Sequence, residues 1–427
     1  MRVLVLGGGI IGTSSAWFLR AAGHDVTLVE RAAGVARETS LANGGQISVS
    51  HAEPWANPGA PLKVLKWLGR ADAPLLLRLR PELHQWTWAL GFLRECLPSR
   101  TARNIRHIVR LALYSRALLR ALRQELALDY DQLSRGILHF YTRAAEYEAS
   151  LAPAALMREL GCDRRSIDAD EAVRIEPALA ALRDRIVGAD YCAEDESGDA
   201  ARFTEALARA AEGRGVRFIF GTQVTRLLRE AGRVCGVETV GGDGRYRVLR
   251  ADAVVVALGV YSRALLAPLG VRLPLYPAKG YSATYDVVDT ARAPTVSLTD
   301  DEYKLVFSRL GSRLRVAGTA ELNGYDRSLN DVRCAAITRR VQSLFPGACD
   351  YTRPNYWAGL RPATPSGTPL IGATPIAGLY INTGHGTLGW TLACGSGRAL
   401  AELMDGRRPD VDFPFLRPRV IGSGGRG

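Results

Sequence analysis

The chain has 427 residues, 47% of them hydrophobic, which is enough for a large core and two domains. Seven scattered cysteines with no C-x-x-C, and six histidines without paired ligand spacing, argue against a disulfide framework and against a metal site, and favour a reducing compartment. The net charge is +12, yet no run reaches the ~20 apolar residues that span a bilayer and no DNA- or RNA-binding module is visible, so a membrane span and a nucleic-acid partner are not expected.

The chain opens on Arg2-Val3-Leu4-Val5-Leu6, an apolar run that reads as a strand. No secretory leader precedes it, which places the protein on the cytoplasmic side. Gly7-Gly8-Gly9-Ile10-Ile11-Gly12 follows, and Thr13-Ser14-Ser15-Ala16-Trp17-Phe18-Leu19 reads as a helix. A second strand, Asp25 to Val29, ends at Glu30-Arg31. A lone G-x-G-x-x-G is weak evidence. With strand, helix and acid in register it predicts a bound dinucleotide. Gly7 permits the turn, Gly9 lets backbone approach a pyrophosphate, and Gly12 lets helix and strand pack closely. The helix N-terminus offers N–H groups to the phosphates, and Glu30 can accept from a ribose hydroxyl.

Between Pro61 and Arg123 stand thirteen Lys or Arg against three acids, so most of the excess charge sits in one stretch. Trp55, Trp67, Trp86 and Trp88 lie in or beside it. Residues 101–126 read as an amphipathic helix. Ile108, Leu111, Leu118, Leu119 and Leu122 share one side, and Arg103, Arg106, Arg110, Arg116 and Arg120 the other. The plain reading is a solvated face. The sharper one is a peripheral site on an anionic inner-membrane surface.

Gly136 to Tyr141 reads as a strand among helices, and Asp199 to Gly213 as a helix. Val216–Phe220, Val224–Leu228 and Val234–Thr239 form strands with turns between. Ala253-Val254-Val255-Val256-Ala257-Leu258-Gly259 is a buried parallel strand ending in glycine. Residues 272–345 alternate polar and apolar, which predicts an antiparallel sheet. Leu379 to Gly384 is a strand, His385 to Trp390 a turn, and Thr391 to Leu403 a helix. The pattern predicts a nucleotide domain from residues 1–50, 186–270 and 355–415, a second domain from 51–185 and 271–354, and a loose tail at 416–427.

Several blocks carry a resemblance: Glu38-Thr39-Ser40-Leu41-Ala42-Asn43-Gly44-Gly45-Gln46-Ile47-Ser48, Pro54-Trp55-Ala56-Asn57-Pro58-Gly59, Tyr276-Pro277-Ala278-Lys279-Gly280-Tyr281-Ser282, Trp357-Ala358-Gly359-Leu360-Arg361-Pro362, and Asn382 through Gly397. Together they resemble flavoproteins of the D-amino acid oxidase and glycine oxidase superfamily, and within it the bacterial D-amino acid dehydrogenases of the small-subunit type. The sequence departs at Ser50-His51, where that family often has Gly-Tyr. The resemblance implies an α/β fold: a Rossmann-like FAD-binding domain of the GR2 type, interleaved with an α+β substrate domain on an antiparallel sheet. It implies FAD, hydride transfer from Cα of a D-amino acid such as D-alanine to flavin N5, and release of a 2-oxo acid and ammonia. Electrons would pass to a quinone or another respiratory acceptor, with a partner subunit as a further implied component.

Onto this sequence the resemblance carries Ser40, Asn43, Gly44, Gly45 and Gln46 as the loop beside the flavin, and Val224 as backbone near adenine. Ala257 and Gly259 border the cofactor from the parallel strand. Gly384, His385, Gly386, Thr387, Leu388 and Gly389 match a second glycine turn, whose N–H groups can stabilise negative charge. Arg361, in Gly-Leu-Arg-Pro, is the candidate carboxylate anchor, because a guanidinium fork fits a carboxylate bidentately. Tyr281 is a second candidate for the same carboxylate, with Lys279 behind it. His51 is a candidate base or pocket wall. No dedicated base is expected, because the substrate can react as its neutral amine, whose lone pair pushes the Cα hydride to N5. The alternatives are glycine, sarcosine or a hydroxyproline isomer as substrate, an oxidase that uses oxygen, and a basic membrane-binding module with a vestigial nucleotide fold. No G-x-S-x-G elbow supports a hydrolase.

Overall fold

The computed structural model describes residues 1–67 and 73–417. Six strands form one sheet in the order Leu370–Ala373, Leu379–Thr383, Ala253–Val256, Arg2–Leu6, Asp25–Val29, Arg217–Ile219. All pairs are parallel except the first, and Val3 sits between Ala253 and Val26. Strand parity explains its two buried faces. Val3, Val5, Val26 and Leu28 pack under the helices Ile10–Ala21, Ala200–Gly213 and Gly389–Met404. Leu4, Leu6, Val254 and Val256 pack under a three-stranded meander, Thr222–Glu230, Arg233–Gly241 and Tyr246–Arg250. Asp199 caps its helix by accepting from Ala201 and Arg202 N–H.

The second sheet has nine strands. Its order is Asn355–Ala363, Tyr276–Asp286, Arg313–Leu322, Leu305–Leu310, Ser297–Asp300, Ile137–Tyr141, Gly188–Cys192, Arg165–Ile167, with Leu75–Leu77 pairing the 313–322 strand. The antiparallel alternation of 272–345 is present, but Asp331–Leu344 is a helix that covers one face of the sheet. The strands Gly188–Cys192 and Asn355–Ala363, placed in the nucleotide domain by the sequence pattern, hydrogen-bond into this second sheet instead. We therefore propose domain boundaries after Cys192 and after Ala363. Most of the 416–427 tail, residues 418–427, lies outside the described residues.

The helix Pro98–Leu126 buries Ile108, Leu111, Leu119 and Leu122 of the apolar side expected, leaves Leu118 half-buried, and buries Ile105 as well. Its arginines differ from expectation. Arg116 is buried and pairs with Asp195 at 3.0 Å. Arg120 binds Glu194 and Glu196, Arg123 binds Glu196, Arg103 binds Glu95, and Arg110 binds Asp412. Acids from other segments thus neutralise much of the row that the sequence presents as a free basic face. Another surface is left open instead. Leu83, Trp86, Leu90, Leu93 and Leu97 follow i, i+3, i+7 spacing on and just after the helix Leu83–Glu95, and all are exposed, Leu83 to 80% and Leu90 to 67%. Leu62 and Leu65, on the helix Ala60–Trp67, are exposed to 74% and 68%. Among the described residues no helix is long and apolar enough to cross a membrane.

Candidate active site

The first glycine turn is built by close approach. Gly7 has φ +107°, and a Cβ there would lie 2.7 Å from the Ala257 carbonyl. A Cβ on Gly12 would collide with the Gly7 carbonyl, so helix and turn meet without side chains. Gly9 differs: its nearest neighbour is Ser40 Oγ at 3.5 Å, and its backbone is extended. The space over Gly9 is therefore open. Thr13 and Ser14 just beyond carry buried hydroxyls without a protein partner. Glu30 accepts from Gly8 N–H at 2.6 Å and Ala32 N–H at 2.8 Å, so its carboxylate stands at the turn. Arg31 lies over the Tyr261 ring at 4.2 Å. Thr222, two residues before Val224, donates its N–H to the Glu30 carbonyl, which brings Val224 to the same edge. An extended dinucleotide fits this donor set: open glycine backbone, a helix N-terminus and an acid one strand over.

Ser40 accepts from Ile10 N–H at 3.1 Å, and on either side of it in the chain Thr39 and Ala42 line a cavity of about 1080 Å³. Asn43, Gly44 and Gln46 line it together with Gly386, Thr387 and Leu388, and so do Arg361, Trp357 and His51. The 43–48 loop is tied to the second sheet. Gln46 donates to Ser297 Oγ and the Leu298 carbonyl, and Ser308 Oγ donates to the Gly44 carbonyl. Gly45 has φ +85° and abuts Ser308. Gly384 (φ +83°), His385, Gly389 and Ser40 stand behind the lining rather than in it. His385 is buried with Nε2 3.1 Å from Ser396 Oγ, and burial pushes its pKa down to about 3, so its ring is neutral.

Arg361 is the outstanding group. Its guanidinium donates to the Thr319 carbonyl at 2.8 Å and reaches the Gly318 carbonyl at 3.5 Å. It has no carboxylate partner among the described residues. Gly280 is required opposite it, because any Cβ would collide with the guanidinium. Burial, and then the charge of Arg333, lower its pKa to about 10, so it is cationic at neutral pH. A desolvated cation without an anion is the signature of an anion site.

Tyr281 is among the residues lining the cavity, but its hydroxyl is already engaged. Gly280 faces Arg361, so by strand parity the next side chain turns to the other face. The Tyr281 hydroxyl donates to Glu321 at 2.5 Å and its ring joins the core beneath the 331–344 helix. Burial and Glu321 raise its pKa. It cannot hydrogen-bond a ligand held by Arg361 without breaking that pair. Lys279 is likewise occupied, by Asp326 at 2.7 Å and Glu321 at 3.1 Å. Sequence reasoning missed several groups on the cavity wall: Ser48, Ser50, Glu53, His139, Arg164, Asp301, Lys304 and Thr391. Ser48 and Thr391 lie within the resemblance blocks and Ser50 at the departure from the family pattern, but no local motif marks the others. Away from the cavity, Cys162, Asp163 and Cys192 have metal-like spacing, but Arg116 lies 3.9 Å from Asp163 and opposes a cation there.

Residues 2–403 match the family model described as FAD dependent oxidoreductase. The chain is 58% identical over 98% of its length to the whole of a D-amino acid dehydrogenase from Dechloromonas aromatica (strain RCB). It is 51% identical over 97% of its length to 98% of a D-amino acid dehydrogenase from Paramagnetospirillum magneticum (strain ATCC 700264 / AMB-1). In structure it is similar to glycine oxidase from Geobacillus kaustophilus, with TM-score 0.74, 23% identity and 96% of each chain covered. The chain belongs to the FAD dependent oxidoreductase family.

Proposed function

We propose that the protein is an FAD-dependent D-amino acid dehydrogenase that converts D-amino acids such as D-alanine to 2-oxo acids and ammonia. The observation that carries this is Arg361, a half-buried cation with no acid partner among the described residues, on the wall of a cavity that Asn43, Gly44, Gln46, Gly386, Thr387 and Leu388 also line. The relatives' names supply the enantiomer and the preference for an acceptor other than oxygen. Bound FAD would supply the hydride acceptor for Cα, and the imino acid product would be hydrolysed by water. Arg361 clamps the carboxylate and so fixes the direction of the Cα–H bond. Trp55, Trp88, Phe92 and Trp357 wall the cavity with apolar surface that limits water. In air, turnover with D-alanine should reduce a dye and yield pyruvate and ammonia without matching peroxide. Stoichiometric peroxide would make it an oxidase.

An inert carboxylate should dock on Arg361 alone. At a hundredfold excess over its Kd it should add about 2.7 kcal/mol and raise Tm. Arg361→Leu should abolish that response, and an unchanged response would place the anion elsewhere.

We infer further that the acceptor is a quinone met at a membrane surface, through the ridge Leu62, Leu65, Leu83, Trp86, Leu90, Leu93 and Leu97. Val64, Leu65, Ala89, Phe92 and Leu93 of the two ridge helices also line the cavity, so the ridge stands at its rim. With much of the arginine row paired, apolar insertion rather than charge dominates, at roughly 1.5–3 kcal/mol per fully buried leucine. Leu83→Ser with Leu90→Ser, neither of which lines the cavity, should cut vesicle binding by roughly 10²-fold or more while dye reduction stays intact. Wild-type protein that fails to float with vesicles at any salt concentration would end this reading.

A further inference from the structure

The cavity wall holds a chain of polar groups that the reaction as described above does not use. Ser48 Oγ and Ser50 Oγ lie 3.4 Å apart, and Ser50 Oγ is 2.9 Å from His139 Nε2. His139 Nδ1 is 3.3 Å from Asp301 Oδ2, and Lys304 Nζ donates to Asp301 Oδ1 at 2.9 Å. All five residues line the cavity that holds Arg361. They come from three separate pieces of chain: the 48–51 loop, the Ile137–Tyr141 strand and the 301–304 turn. The turn is strained, with Lys304 at φ +54°.

The order Ser, His, Asp fits proton transfer. Asp301 is ionised: burial would raise its pKa, but Lys304 and His139 outweigh burial and hold it well below the usual range. An ionised carboxylate at Nδ1 keeps the imidazole hydrogen there, which leaves the Nε2 lone pair to accept from Ser50. The other groups facing His139 leave it as the acceptor. His51 stacks on it at 5.8 Å, and burial together with His139 pushes its pKa down to about 4. Arg164 is bound to Asp190, and burial raises the Glu53 carboxyl. The arrangement does not serve acyl transfer. The N–H groups of Val49 and Ser50 both donate to Asp195, at 3.0 and 2.9 Å, so the backbone donors beside the hydroxyl are taken and cannot hold an oxyanion.

An amino acid arrives with its nitrogen protonated. That nitrogen has no lone pair to drive hydride from Cα until a proton leaves. We propose that Ser50 and His139 form the proton outlet for the substrate's ammonium. One N–H bond of the ammonium breaks and its electron pair stays on nitrogen. The proton goes to Ser50 Oγ as the Ser50 hydroxyl proton passes to His139 Nε2. Asp301 holds the resulting imidazolium, which later loses its proton to solvent. Ser50, whose side chain is fully buried just behind the cavity surface, is the group that would take the proton from substrate, while His139 and Asp301 act through it. This inference rests on the amino-acid dehydrogenase reading.

The test is anaerobic reduction of the holoenzyme by D-alanine across pH, comparing wild type with His139→Gln, Asp301→Asn and Ser50→Ala. Glutamine keeps a polar side chain but cannot take a proton. Its reduction rate should fall by roughly 10²–10⁴-fold at neutral pH. It should then climb tenfold per pH unit towards the wild-type rate as the substrate's own amine deprotonates. Bound FAD, visible circular dichroism and the Kd for an inert carboxylate should not change, because Arg361 is untouched. Ser50→Ala should follow the same profile, and it carries the test if His139→Gln fails to fold. A rate lowered equally at every pH would assign these residues a structural role and overturn the proposal, as would wild-type rates at neutral pH. If wild type is not reduced by D-alanine or any other D-amino acid, the functional reading itself fails. If wild type is reduced and the variants run parallel to it, only the outlet fails.

Discussion

Arg361→Ala should keep FAD and lose turnover, with kcat/KM for D-alanine down by roughly 10²–10³-fold or more, equivalent to about 3–5 kcal/mol. Two carbonyls hold the guanidinium, and neither neutralises it. The missing negative charge must come from what binds, so removing the arginine deletes the whole attraction. Arg361→Lys tests the fork: it keeps the charge but cannot make two parallel hydrogen bonds, and it should recover only part of the loss. The flavin-to-protein ratio separates both effects from cofactor loss. Near-normal kinetics in the alanine variant would reject Arg361 as the anchor.

The glycine turn should separate into two phenotypes. Gly9→Val should fold, because a Cβ there has no protein atom nearer than Ser40 Oγ at 3.5 Å and the backbone is extended. It should nonetheless purify colourless, since the side chain fills the space proposed for the pyrophosphate. A loss of only about 1.4 kcal/mol already weakens binding tenfold. Gly12→Val should fail to fold, because its Cβ would run into the Gly7 carbonyl. Far-UV circular dichroism with flavin absorbance distinguishes the cases. A yellow, fully loaded Gly9→Val would show that this turn does not hold the cofactor.

These two sites were legible in the sequence for different reasons. The turn is local: its demands are steric, and strand, glycines, helix and acid are contiguous. Arg361 is visible through its motif, and strand parity then explains why Gly280 faces it and Tyr281 does not. What stayed hidden depends on pairing between distant segments. His139 meets Asp301 across 162 positions because Ile137–Tyr141 lies parallel beside Ser297–Asp300. The basic helix misled for a similar reason: its periodicity puts Arg116 with the solvent side, while Asp195, 79 positions on, draws it into the interior. The leucine ridge has the spacing of an ordinary core-facing helix, and only the fold reveals that nothing in the described chain covers it.

The central claim is that the cavity binds a D-amino acid in position to reduce FAD. Anaerobic titration of the purified protein with D-alanine and with L-alanine, followed at the flavin absorbance band, tests it most directly. The structure and its relatives lead us to expect complete bleaching by D-alanine and none by L-alanine at the same concentration. A flavin that stays oxidised with D-alanine and other D-amino acids, or that bleaches with the L-enantiomer instead, would contradict it.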